Sequence, residues 1–229
     1  MSVNRKNKNM ENEKMNVKQL YQILNRQVVF AQAQRFRITQ YKEDEIREML
    51  TICYKAEVVK RGLKFIDDDS TKDRIAKATK WLCGECKPGL MLYGRIGSGK
   101  TTLARAISQL IGILYDSAYS GDRKYVYRSS ALDLSKDVAN EERFARIKRE
   151  EMLFIDDVGM EPSTVKVYGN EFSPVTELIY SRYDSLKLTI VTSNLKGDEF
   201  RQRYGDRIGD RMLEMFETIE FNQTMSYRK

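Results

Sequence analysis

Nine consecutive residues, Gly94-Arg95-Ile96-Gly97-Ser98-Gly99-Lys100-Thr101-Thr102, carry the most specific chemistry in this 229-residue sequence. The spacing Gly94-x-x-x-x-Gly99-Lys100-Thr101 fits a phosphate-binding loop. Its glycines leave room for the backbone to curl around an anion. The loop N–H groups and the N-terminus of a following helix then point positive partial charge at a polyphosphate. In that geometry Lys100 reaches the β- and γ-phosphates and the Thr101 hydroxyl ligates Mg²⁺. The bland alternative is a glycine-rich turn carrying a surface lysine. It is disfavoured by the four apolar residues Leu90–Tyr93 ahead of the loop and by a helix over 101–114 behind it, with Leu103, Ala106, Ile107, Leu110, Ile111 and Leu114 at helical spacing.

Two further stretches complete a reaction centre. Met152-Leu153-Phe154-Ile155-Asp156-Asp157 reads as a buried strand ending in two acids. Carboxylates are out of place in a core but suit the carboxyl end of a parallel strand, where open α/β sheets bind their ligands. By position Asp156 holds Mg²⁺, directly or through water, and Asp157 orients or deprotonates the attacking water. With no histidine in the chain, carboxylates must handle any proton. Leu188–Ser193 reads as a third buried strand ending at Asn194, the place of a γ-phosphate sensor, although a lone asparagine after a strand is more often a turn former. Arg203, Arg207 and Arg211 recur every four residues, giving a helix a basic stripe that Gly205 and Gly209 weaken or break. Surface pairs with Asp206, Asp210 and Glu214 are the ordinary reading of those arginines.

The elements that must position these residues alternate strand and helix, which predicts an α/β core with a parallel sheet. Strands are expected at 89–94, 124–129, 152–157, 188–193 and 217–221. Helices are expected at 71–82, capped by Ser70, and at 101–114, 131–139, 140–149 and 175–183, with a loop over 159–174. Residues 1–60 read as a basic helical extension, disordered over the first fifteen residues, with 61–229 as the catalytic domain. The stretch 1–37 holds eight Lys/Arg against Glu11 and Glu13, a net of +6 in a chain of net charge +7. That arm favours anionic partners, nucleic acid first. The extension docks on its own ATPase domain or on a partner protein. Cys53, Cys83 and Cys86 make no disulfide framework, and the Cys83/Cys86 pair lacks the further ligands of a zinc site. With no apolar run of membrane-spanning length and no signal-like start, the expectation is a cytoplasmic protein without a membrane partner.

Taken together, residues 94–102, 153–159, Thr192-Ser193-Asn194-Leu195, the run 204–212 and Ser226-Tyr227-Arg228 resemble the DnaC-type helicase loaders of the AAA+ ATPases and the related IstB-type transposition helpers. The resemblance covers about residue 70 to the end. It implies an AAA+ P-loop NTPase core, ATP and Mg²⁺ as cofactors, and assembly of subunits into an ATP-dependent oligomer. It makes Arg211 the finger that reaches a neighbouring subunit's γ-phosphate, with Arg207 the weaker candidate, and Arg228 the second sensor. It also implies no helical lid after the core. Aspartate at 157, where many AAA+ enzymes carry glutamate, points to slow hydrolysis.

The function expected is a DnaC-like loader acting in DNA replication on single-stranded DNA, with residues 1–60 meeting a replicative hexameric helicase. Lys136, Arg143, Phe144 and Arg146 are expected to face the DNA. The alternatives are an IstB-like transposition helper, a P-loop small-molecule kinase, and a scaffold that binds ATP without turnover.

Overall fold

The computed structural model describes residues 15–222, except 34, 85, 117–120, 122 and 168. The chain divides into two compact units, Met1–Arg35 and Phe36–Lys229. In the first, helix α1 (Val17–Ala33) leaves Val17, Leu20, Tyr21 and Leu24 exposed.

The second unit is built on a five-stranded parallel sheet. Its strands are β1 (Gly89–Gly94), β2 (Tyr127–Ser130), β3 (Met152–Val158), β6 (Leu188–Ser193) and β7 (Phe216–Phe221), in the order β2-β3-β6-β1-β7. Strand β1, which feeds the glycine-rich loop, lies between β6 and β7. Parallel strands connected by helices are covered on both faces, which is why β1, β3 and β6 read as almost unbroken apolar runs.

Helices α2 (Glu43–Val59), α3 (Asp69–Cys83) and α4 (Lys100–Leu114) cover one face with Ile46, Leu50, Ile75, Leu103 and Ile107 against Leu90, Leu92, Phe154 and Ile190. The other face carries α5 (Ala131–Asp137), α6 (Glu141–Arg149), α7 (Pro174–Ser185), α8 (Gly197–Tyr204) and α9 (Asp206–Met215). There Leu134, Ile147, Leu178, Phe200, Ile208 and Met212 pack on Met91, Leu153, Ile155 and Val191. The alternation Leu90/Met91/Leu92 between the two cores is the period-two signature of a strand buried on both sides. Among the described residues no helix is long and apolar enough to cross a membrane.

Four local expectations are corrected. The break in packing lies at Phe36 rather than after residue 60, because the apolar stripe of α2 covers the sheet, with Ile46 and Leu50 fully buried. The cap of α3 is Asp68, whose carboxylate accepts the Thr71 N–H at 2.7 Å, so the helix begins before Ser70. The 159–174 stretch contains a short hairpin, β4 (Val165–Val167) against β5 (Asn170–Phe172). Gly205, at φ +85°, ends α8 and starts α9, so the arginine stripe is spread over two helices.

One buried cation fastens the end of the sheet away from the loop. Arg182 of α7 is fully buried and donates to the carbonyls of Glu150, Glu151 and Leu188 and to Thr189 Oγ1, tying the starts of β3 and β6 together. Burial pulls its guanidinium down to about 10. Arg182→Met should fill the volume but leave those oxygens without a donor. It is expected to lower stability by about 3 kcal/mol or more in urea unfolding.

Candidate functional site

Gly94 closes β1 at φ +129°, and a Cβ there would stand 2.5 Å from the Phe221 carbonyl oxygen. Only glycine therefore lets the chain leave β1 while β7 stays paired beside it. The Arg95 N–H donates to that same Phe221 oxygen at 3.2 Å, and the Ser98 hydroxyl donates back to Arg95 O at 2.6 Å, so the loop is closed on itself before α4 starts. Lys100, 5% exposed, donates to Gly94 O, Arg95 O and Asn194 Oδ1, each at 2.8 Å. A buried ammonium at a helix N-terminus suits a polyphosphate. The contact with Asn194 brings the end of β6 to the loop, as the strand order requires.

Thr101 and Asp156 also meet: the Thr101 hydroxyl donates to Asp156 Oδ1 at 2.9 Å. A hydroxyl and a carboxylate so placed supply the hard oxygen donors that Mg²⁺ takes, with phosphate and water completing its shell. Asp157 adopts a left-handed backbone, φ +56°, and its N–H donates to Thr192 Oγ1 at 2.9 Å. Residues 96–102, Asp157 and Asn194 line one cavity of about 230 Å³. Gly94 and Arg95 shape it through the backbone oxygens that hold Lys100. Tyr54, Val58, Leu63, Phe65 and Ile66 give the same cavity an apolar, partly aromatic lining beside Arg61 and Lys64, and such a surface suits a flat heterocycle. Sequence reasoning missed this lining. Its signal was the apolar alternation Leu63/Phe65 just after α2, which reads as an ordinary connection until α2 is known to lie on the core.

The arginines separate. Arg203 donates to the Glu161 carbonyl and lies 3.8 Å from the Glu161 carboxylate, which is nearly fully buried. That carboxylate also accepts the Gly159 N–H at 2.8 Å and the Tyr204 hydroxyl. Burial, and then Glu161, raise the Tyr204 phenol above its ordinary range, so it stays a neutral donor. Glu161 thus joins the turn after β3 to α8, a role the sequence reading did not assign. Arg207 is exposed. Arg211 lies over two rings, 4.0 Å from the Tyr180 centroid and 5.0 Å from that of Tyr183.

Among the described residues the surface pairs expected for these arginines are not formed. Asp206 and Asp210 lie 3.8 and 2.8 Å from Arg201 instead, and Glu214 accepts the Tyr183 hydroxyl. Arg211 does not line this cavity, and Arg228 lies outside the described residues. Of the residues expected to face DNA, Phe144 is buried and packs edge-to-face on Phe172 at 5.7 Å, which removes it from any such surface. Lys136, Arg143 and Arg146 lie 3.1, 3.1 and 3.8 Å from Asp133, Asp137 and Glu150.

No protein-family model and no curated protein matches the chain. Solved structures do. The chain superposes on DnaI over 86% of its own length and 99% of that chain, at 19% identity and a TM-score of 0.54. It superposes on a protein provisionally described as a primosome component of Streptococcus pyogenes serotype M3 over 87% and 98%, at 17% identity and a TM-score of 0.53. The parallel sheet of order β2-β3-β6-β1-β7, with its glycine-rich loop between β1 and α4, is accordingly the α/β fold that these two structures share.

Proposed function

We propose that this chain binds and slowly hydrolyses Mg·ATP and acts as a DnaC-like helicase loader in DNA replication. The observation that carries the ATPase part is the convergence of three strand ends on one cavity: the loop after β1 with Lys100 and Thr101, the acids at the end of β3, and Asn194 after β6. The loop would hold the polyphosphate, and Tyr54 and Phe65 would offer a surface for the base. Thr101 and Asp156 would hold Mg²⁺, which would supply charge neutralisation for the bound polyphosphate. Asp157 orients or takes the proton of the attacking water, Asn194 contacts the γ-phosphate, and Arg211 serves a neighbouring subunit's site. Arg228 is the second sensor.

The loader part is supported by the motifs that resemble DnaC-type proteins and by the fold shared with a protein described as a primosome component. Single-stranded DNA is the anionic partner, drawn by the net +6 of residues 1–37, and the N-terminal unit meets a hexameric replicative helicase. Self-association is ATP-dependent because the finger and the pocket it completes belong to different subunits.

The test is a three-way measurement on the full chain. Wild type should bind ATP, turn it over slowly, and bind the host's replicative helicase in a stoichiometric complex by sedimentation. Asp157→Asn should keep ATP affinity and lose turnover. Transfer of the γ-phosphate to a small acceptor would make it a kinase instead, and binding without turnover, with or without DNA, a scaffold.

A further inference from the structure

The ladder between β3 and β6 runs in step from Met152↔Leu188 to Ile155↔Val191 and resumes at Val158↔Ser193. Three residue steps on β3 therefore oppose two on β6, a bulge located at Asp156 and Asp157. Such bulges bend the strand, re-aim side chains and cost ladder hydrogen bonds. Here Asp157 sits in the left-handed region at φ +56°, uncommon outside glycine though more open to Asp and Asn than to most side chains.

The bond that the ladder loses is replaced by a side chain. Thr192 is fully buried, and its hydroxyl accepts the Asp157 N–H at 2.9 Å while donating to Asp156 Oδ1 at 2.6 Å. One hydroxyl uses its single proton on one acid and a lone pair on the backbone of the next. The adjacent Ser193 adds a second hydroxyl contact from β6 to β3, donating to Val158 O at 2.7 Å.

We infer that Thr192 is a positioning residue of the ATPase centre. It fixes the rotation of the Asp156 carboxylate, and it holds the strained backbone that turns Asp157 into the cavity. The inference rests on the ATPase reading above for its kinetic consequence, but its structural content does not. A purely packing role would follow shape, so Thr192→Val, which keeps volume and branching, would be silent, and Thr192→Ser, which removes a buried methyl group, would be the harmful change. Positioning through the hydroxyl predicts the reverse order.

The experiment compares the two variants with wild type by amide hydrogen exchange at Asp157 in the full chain without nucleotide. It adds the Mg²⁺ dependence of fluorescent ATP-analogue binding and steady-state ATP turnover. In Thr192→Val the Asp157 amide should exchange about 10-fold faster or more. Half-maximal analogue binding should need several-fold more Mg²⁺, and kcat should fall roughly 10- to 100-fold with little change in KM at saturating Mg²⁺, the scale of losing one hydrogen bond to a charged group. Thr192→Ser should restore all three. Wild-type exchange and kcat in Thr192→Val, or equal damage in Thr192→Ser, would overturn the inference. If wild type shows no turnover, the ATPase reading fails and the Asp157 exchange rates still decide the role of Thr192. Should Thr192→Val melt too low to assay, Thr192→Ser decides alone: wild-type protection at Asp157 supports the role, and lost protection overturns it.

Discussion

Lys100→Ala is expected to weaken Mg·ATP binding by about 10²- to 10⁴-fold, the scale of losing two charge-assisted contacts to phosphate. The side chain is 5% exposed and reaches Gly94 O, Arg95 O and Asn194 Oδ1 at 2.8 Å, so it already sits where the loop, α4 and the end of β6 meet. Alanine removes the cation from the polyphosphate. It also leaves three oxygens around it without this donor, so the loop itself should loosen and the melting temperature should drop by a few degrees. Calorimetric titration of the folded variant with Mg·ATP separates the two effects, because a loosened but competent loop would still give a measurable affinity. Equal affinity for wild type and variant would remove nucleotide binding from this cavity.

The centre was legible in the sequence to the extent that it depends on strand ends. Leu90–Tyr93 and Met152–Ile155 are continuous apolar runs and Leu188–Val191 is broken only by Thr189; each leads within three residues to a candidate site residue, Gly94, Asp156 or Asn194, so strand placement and site placement are one inference. What the sequence could not separate were features decided by distant contacts. The apolar face of α2 looks the same whether it covers its own sheet or a partner, and only the packing of Ile46 and Leu50 settles which. Thr192 reads as a β-branched core residue, and its hydroxyl acquires a role only because the β3 bulge lies across from it. Glu161 and Arg203 are 42 residues apart, so the acid that meets Arg203 was invisible to an argument built on i, i+3 and i, i+4 spacing. The three-residue strands β4 and β5 are too short to leave a period against the background of a polar, proline-bounded stretch.

Arg211 should act on a phosphate bound by another subunit, and its removal should cost about 10³-fold or more in hydrolysis. It is outside the wall of its own subunit's cavity, and among the described residues no carboxylate is paired with it, since Asp206 and Asp210 turn to Arg201 and Glu214 to Tyr183. What holds it is stacking on Tyr180 and Tyr183. At a half-exposed site such stacking is worth about 0.5–1 kcal/mol, little enough to be given up for a γ-phosphate. Arg211→Ala should therefore leave ATP binding to the isolated subunit intact and stop turnover by the assembly. Lys100→Ala has the opposite defect, an intact finger beside a failed pocket. Mixed in equal amounts, the two variants create interfaces where an intact pocket faces an intact finger, and part of the wild-type rate should return there although neither variant alone shows it. A mixture as inactive as its parents, with assembly confirmed by sedimentation, would return Arg211 to a stacking role on Tyr180 and Tyr183 within its own subunit.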